Sequence, residues 1–363
     1  MKNYTINVIE TLAAWENIRE PWNNLLKESS SDNIFLTWEW LYSWAEVFLD
    51  ANKRNLFIVT IYDGDVLLGV APWYISSDRT MGFLVRQIMF IGEPEGASDY
   101  LDVFVKKGKE ESVSKAIYNF LLTDVSDKWD SLKLNEIPQN SRFLLHFLEK
   151  AEELGKLTEI QRGAFCPIAV LPSSDSEFFS ALSTHRRQQF NRDLKILKER
   201  HGAEHVTFSG FVPNESLERF LDFYENKKDA RDERFRAFLH KFSQLSRGME
   251  PVGIDFLASN GADVAALFHL YYNATASLYL MAVDKGFNQK VSVGNVMVGL
   301  AIKNAIKKEF AIYDFLKGPE SYKFNWSNNA KTSTSVIFYQ RRIVTGISFL
   351  DRATRSLGKL LFR

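Results

Sequence analysis

The sequence predicts an α/β (α+β) protein in two tandem domains, each a sheet flanked by helices. Three observations carry this. The order hairpin, strand, helix, strand occurs twice, at 56–137 and again at 251–316, with the hairpin glycines Gly64 and Gly261 197 positions apart. The repeat is one of architecture, without residue-level identity. The chain has 363 residues, more than one domain of ordinary size needs. Hydrophobic residues make up 45% and charged residues 25%, enough apolar material for two cores. The halves are expected to meet near residue 165, giving domains 1–165 and 166–363, because Gly and Pro in QRGAFCPIAVLP interrupt the helical pattern of 141–155.

The elements follow in order. AAWENIREPWNNLLKE (13–28) reads as a helix, as does FLTWEWLYSWAEVFL (35–49), whose Trp40 and Trp44 are four apart on one face and read as core. LFIVTIYDGDVLLGVAPWYI (56–75) is two strands about Asp63-Gly64. The strand MFIG, the segment YLDVFV, the amphipathic helix 110–122 and the strand 131–137 complete the first set. In the second half, 251–272 is a hairpin about Asn260-Gly261, 276–284 a strand, 291–310 a helix and 311–316 a strand. Between the halves, STHRRQQFNRDLKILKERHG (183–202) is a helix with an apolar stripe of Phe190, Leu194 and Leu197, closed by Gly202. Arg186 and Arg187 flank that stripe. They read either as a solvated face or as two guanidiniums framing an anion site at a helix N-terminus.

Several function classes are excluded. Lys+Arg and Asp+Glu both number 45, which argues against a general DNA binder. The single cysteine, Cys166, reads as a buried thiol, and a chain without possible internal disulfides suits the cytoplasm. The N-terminus lacks a continuous apolar signal region, and no apolar run is long enough to span a bilayer. HGAEH (201–205) has a zinc-peptidase spacing, but Gly202 falls where the helix should stop, so no metal is expected. P-loop, dinucleotide and serine-hydrolase signatures are missing. The run KKDARDERFR (227–236) reads as a solvated surface. The C-terminal segment 346–363 alternates leucines with basic residues and is either a packed helix or a peripheral membrane contact.

The most informative stretch is DFLKGPESYKFNW (314–326), a strand end and Gly-Pro turn crowded with acid, phenol, amine and indole. Its plain reading is a turn in which Asp314 pairs with Lys323 and the aromatics are core. With the helix carrying Ser183 and Arg187 and the Trp-rich helix at 35–49, it resembles the CelD/BcsL-like branch of the GNAT acyltransferase superfamily, related to FemAB-like tandem-GNAT proteins. The matching positions are Asp314-Phe315, Gly318, Tyr322-Lys323 and Trp326. The resemblance covers most of the chain and implies two tandem GNAT-like domains, each a mixed sheet flanked by helices, with the active site in the second. It implies a cytoplasmic N- or O-acyltransferase that uses acetyl-CoA or another acyl-CoA and a small-molecule acceptor such as a nucleotide sugar or lipid-linked saccharide. A charged tRNA is the donor only under a FemAB-like alternative, and a non-catalytic binding protein is a further one.

The resemblance departs at the pyrophosphate loop. GFNQKVSVGNVM (286–297) offers Gln289 and Gly294 at the wrong spacing, leaving the helix-start N–H groups around Gly294 and Asn295 as phosphate donors. Acyl transfer needs a base, donors and a hold on anionic groups. Asp314, desolvated at a strand end, is the first base candidate and Glu320 the second. Tyr322 is a proton donor for the leaving thiolate, Lys323 a point charge for phosphate, and Trp326 a wall against water or a sugar platform.

Overall fold

The computed structural model describes residues 4–50, 53–210, 212–228, 232–287, 290–318 and 320–340. They divide by contact into two units, residues 4–164 with 332–340 and residues 165–331.

In the first unit, β1 (Thr5–Ile9), α1 (Leu12–Glu16), α2 (Arg19–Lys27) and α3 (Trp38–Phe48) precede the hairpin β2 (Arg54–Asp63) and β3 (Val66–Thr80). Asn17 and Ile18 interrupt the helix expected at 13–28. Trp40 and Trp44 are fully buried, as their spacing indicates. The hairpin turns at Gly64, whose φ of +60° suits a residue without Cβ. Next come β4 (Phe83–Phe90), β5 (Phe104–Val105, all that forms of the YLDVFV strand), α4 (Glu110–Thr123), β6 (Ser131–Pro138) and α5 (Arg142–Glu153).

The segment expected to break the chain at 161–172 is instead a 13-residue strand, β7 (Thr158–Val170), with Cys166 fully buried on it. Gly163, in the middle of the strand, lies where the strand carrying Ser333 approaches closely, since a Cβ there would be 2.8 Å from the Ser333 backbone, and the fixed φ of Pro167 suits extended backbone.

The second unit continues with α6 (Asp175–Ala181), α7 (Thr184–His201), β8 (Glu204–Ser209), α8 (Asn214–Lys228), α9 (Glu233–Leu245), the hairpin β9 (Val252–Ser259) and β10 (Ala262–Tyr272), β11 (Thr275–Val283), α10 (Val293–Lys307) and β12 (Ile312–Asp314). The last strand, β13 (Asn329–Tyr339), pairs with β6 from Ser333 onward. Residues 332–340 therefore sit with the first unit, whereas the sequence groups them with the second half.

The strand orders are β1-β2-β3-β4-β6-β13 in the first unit and β8-β9-β10-β11-β12-β7 in the second. In each, three antiparallel pairings are followed by a helical crossover to one parallel neighbour, then a final antiparallel strand. The doubled architecture read from the sequence is thus present in the pairing itself. In the second unit, Leu267 joins the core beneath α7 and α10. Its neighbour Phe268 points to the other face, with its ring 5.4 Å from Phe220 of α8. The charged run 227–236 contains the C-terminal turn of α8 and the start of α9. Arg236 within it is mostly buried and bonds Glu218, Asp222 and Glu225, so it fastens two helices rather than lying on a solvated surface.

Candidate functional site

The parallel partners β11 and β12 are paired only at Thr275–Ile312, Ala276–Tyr313 and Ser277–Asp314. From Leu278 to Val283, β11 keeps β10 as its neighbour, and on the other side no strand pairs with it among the described residues. The two strands therefore open as a fork, leaving backbone donors and acceptors on one edge of β11 without a ladder. The first turn of α10 lies against the far end of β11, close enough that a Cβ on Gly294 would be 3.3 Å from Val283.

α7 is fixed to that helix start by a residue that sequence reading passed over. Asp193 is 1% exposed, accepts the Ser292 N–H at 3.1 Å through Oδ2, and is paired through Oδ1 with Arg192 at 2.8 Å. Its signal was present, since position 193 falls on the apolar stripe of Phe190 and Leu197, where a carboxylate needs a partner. The Gly294 and Asn295 N–H groups have no acceptor among the described residues, as expected for the first turn of a helix.

Asn295 donates to Ser292 Oγ at 2.8 Å and accepts from Trp326 Nε1 at 3.3 Å. Trp326 is 5% exposed and meets Phe190 edge-on at 5.7 Å. Gly299 makes that contact possible, because a Cβ there would be 2.4 Å from the Phe190 ring and 2.8 Å from Trp326. Arg186, Gln189, Asn295 and Trp326 line a crevice of about 30 Å³, room for a water or a phosphate oxygen. Arg186, Asn295 and Trp326 are thus brought together, with Gly294 adjacent. Arg187 is not. Arg186 Nη1 bonds the Phe324 and Asn325 carbonyls, each at 3.3 Å, whereas Arg187 Nη1 bonds the Ser180 carbonyl at 3.3 Å. The two guanidiniums diverge, so they do not frame one anion.

The turn after β12 is organised differently from either expectation. Lys323 is 4% exposed, and its Nζ donates to the carbonyls of Lys317 (2.7 Å) and Leu316 (3.3 Å) and pairs with Glu320 (3.0 Å). Three partners account for its three protons, which leaves none for a phosphate. The expectation of a phosphate-holding lysine is corrected: Lys323 pins the turn from within. Gly318, at φ +136°, is required beside it, since a Cβ would lie 2.2 Å from Glu320 and 2.7 Å from the Lys323 ammonium.

Asp314 does not pair with Lys323. It is 1% exposed, with Oδ1 taking the Leu316 N–H (2.9 Å) and Oδ2 the Lys331 ammonium (3.0 Å). Glu320 is exposed at its tip. Partial burial raises its pKa, but the Lys323 hydrogen bond and charge win and hold it below the usual carboxylate range. Burial, with the Glu320 charge, pushes the Tyr322 phenol far above its usual value, so it stays protonated. Pro319, Gln289 and the segment 346–363 lie outside the described residues.

A second cluster in this unit has no motif in the sequence. Asp255 (0% exposed) on β9 lies 3.1 Å from His269 Nδ1 on β10, at an angle poor for a hydrogen bond, and 3.0 Å from His205 Nε2 on β8. His269 Nε2 lies 2.8 Å from the hydroxyl of the fully buried Tyr313 on β12. Burial raises the Asp255 carboxyl, but His205, His269 and Thr207 outweigh it and hold it well below its usual range. The network is assembled across four strands, which is why no local spacing announces it. His201 ends α7 and His205 lies on β8 beyond Gly202, which has φ +53°, so the HGAEH histidines do not share a helix. Among the described residues, no group of His, Cys, Asp and Glu is arranged to hold a metal, and no helix is long and apolar enough to cross a membrane.

Residues 184–324 match the family profile described as an acetyltransferase (GNAT) domain. No curated protein sequence matches the chain. Among solved structures, the chain is similar to FemX at a TM-score of 0.58 and 10% identity, over 88% of this chain and 95% of that one. It is similar to a tandem GNAT protein from the clavulanic acid biosynthesis pathway (TM-score 0.51, 10% identity, 93% and 98% covered). L-PGS from Bacillus licheniformis matches at 0.51 and 12% identity, over 92% and 96%. The fold is accordingly a GNAT-like mixed α/β fold of the tandem kind, with the profile match confined to the second unit.

Proposed function

We propose that the chain is an acyltransferase of the CelD/BcsL-like kind. It moves an acyl group, acetyl in the simplest case, from acyl-CoA to an amine or hydroxyl of a small acceptor related to the cell envelope or polysaccharides. The observation that carries this reading is the fork between β11 and β12, with the first turn of α10 set against the end of β11, inside the segment matching the acetyltransferase profile. Beyond Ser277, the edge of β11 with which no described strand pairs offers ladder-type hydrogen bonds to the amides of a pantetheine arm. The N–H groups of Gly294 and Asn295, at the positive end of α10, fit a pyrophosphate, and Arg186 adds a full charge at the rim of the adjoining crevice.

Chemistry follows within a ternary complex. The acceptor's nitrogen or oxygen attacks the thioester carbon, the C–S bond breaks, the acceptor's proton passes to a base, and the departing thiolate takes a proton. Glu320, kept ionised by Lys323, suits the base better than Asp314, whose two oxygens are engaged and which anchors the end of β12. Tyr322, kept protonated, suits the thiolate. Trp326 walls the crevice, and Arg187 ties α6 to α7. An aminoacyl-tRNA donor asks for a basic groove, yet Arg192 is neutralised by Asp193 and Arg187 is turned away, which favours CoA.

The test is calorimetric titration of acetyl-CoA into wild type and Asn295→Asp. An added carboxylate suits a helix N-terminus and repels phosphate. Saturable binding by wild type, weakened at least tenfold in a variant of undiminished melting temperature, supports the reading. Absence of binding by acetyl-CoA and by longer acyl-CoAs would sink it.

A further inference from the structure

A cavity of about 400 Å³ opens in the first unit, beyond the C-terminal end of β6 and beside the start of α5. Gln139, Asn140, Arg142 and Leu145 form its exposed rim, and Ser31 and Asp102 lie deeper. The volume falls within the range of small-ligand sites. It belongs to a different unit from the fork and is independent of the acyl-CoA reading.

Asp102 is 1% exposed. Its Oδ1 accepts from Ser141 Oγ and the Val103 N–H, both at 2.8 Å, and its Oδ2 accepts from Ser31 Oγ at 2.8 Å. All three donors are neutral. Five other buried carboxylates each face a cation. Glu39 lies 2.9 Å from Arg19, Asp130 3.2 Å from Arg86, Asp193 2.8 Å from Arg192, Asp314 3.0 Å from Lys331 and Asp255 3.0 Å from His205. A buried carboxylate is costly unless a cation faces it. No cationic side chain pairs with Asp102 among the described residues, and Arg142 at the rim is not its partner.

We propose that this cavity is a binding site for a small, polar primary ammonium compound, with Asp102 as the counter-ion. The three neutral donors explain how Asp102 joins the loops at residues 31, 103 and 141. They do not explain a carboxylate rather than a neutral amide at that junction, nor the hollow beside it. Burial pushes its carboxyl up to about 7, partly offset by those donors, so a bound ammonium would restore the charge that the fold disfavours. The amides of Gln139 and Asn140 give the rest of a polar ligand hydrogen-bonding partners at the rim.

The 363-residue chain, titrated at pH 7.5 with ethanolamine, glucosamine and putrescine and with their uncharged counterparts ethylene glycol, glucose and 1,4-butanediol, tests this. At least one amine is expected to saturate the protein and to bind at least tenfold more tightly than its counterpart. Asp102→Asn is expected to abolish that preference. Leu145→Trp, which fills the mouth from a side chain that is 56% exposed and leaves the fold alone, is expected to weaken the same amine at least tenfold. No saturable binding by any of the three amines, equal binding of amine and counterpart, or an amine preference that survives Asp102→Asn overturns the proposal.

Discussion

Replacing Asp102 with Asn removes one ionisable group and keeps the shape of its junction, because the Ser31 and Ser141 hydroxyls rotate to suit either neighbour. The carboxyl is raised from the ordinary 3.8 to about 7 in the folded chain. The sign follows directly. Between those two values the unfolded chain has released the proton while the folded chain still holds it, so the folded state loses stability as pH rises, until the loss is complete above about 7. At 1.36 kcal/mol per unit, the wild-type penalty grows by roughly 3 kcal/mol between pH 4.5 and pH 8. Asp102→Asn has no such slope. Its stability relative to wild type should therefore improve by that amount across the interval, most of it above pH 5. Urea unfolding followed by tryptophan fluorescence reads the right unit, since Trp326 alone of the eight tryptophans lies in the second. A stability difference between the two proteins that does not change from pH 4.5 to pH 8 would mean instead that Asp102 is charged and compensated when folded.

Three further outcomes are expected. Asp193→Ala removes the acceptor for the Ser292 N–H and should cost about 1–3 kcal/mol in unfolding of the second unit, read by urea denaturation. Gly318→Ala forces a side chain into a backbone conformation with φ +136° and against Glu320 and Lys323, so a loss of at least about 2 kcal/mol is expected, with faster amide exchange over 314–326. Gly299→Ala gains about 1 kcal/mol of helix propensity but drives a methyl into the Phe190 and Trp326 rings. Overpacking of about 1–3 kcal/mol should outweigh the gain, and a variant more stable than wild type by calorimetry would contradict the packing described.

Much of the fold was legible because hydrophobic period and turn chemistry agree. Asp63-Gly64 and Asn260-Gly261 place both hairpins, and Phe190, Leu197 and Gly202 place α7 and its end. Segments whose state depends on partners far along the chain were not legible. β13 and the strand character of β7 come from pairing with distant strands, and Gly163 and Pro167 in β7 resemble a break when read locally. At the site, Arg186, Asn295 and Trp326 each stood out singly, at helix ends and in the motif, whereas their meeting depends on how α7 and the turn pack on α10. The role of Lys323 was not, because burial of an ammonium among two carbonyls and Glu320 is a property of the folded turn. Asp193 and Asp102 each show as a lone carboxylate among apolar or small residues, a pattern that names a need for a partner without naming the partner.

In the proposed function, acyl-CoA lies in the fork between β11 and β12 with its phosphates on the first turn of α10. Hydrogen exchange of the 363-residue chain, with and without saturating acetyl-CoA, tests this directly. Slowed exchange at the amides of 278–283 and at Gly294 and Asn295 is the predicted result. Saturable acetyl-CoA binding that leaves those amides unchanged and protects another surface would contradict it.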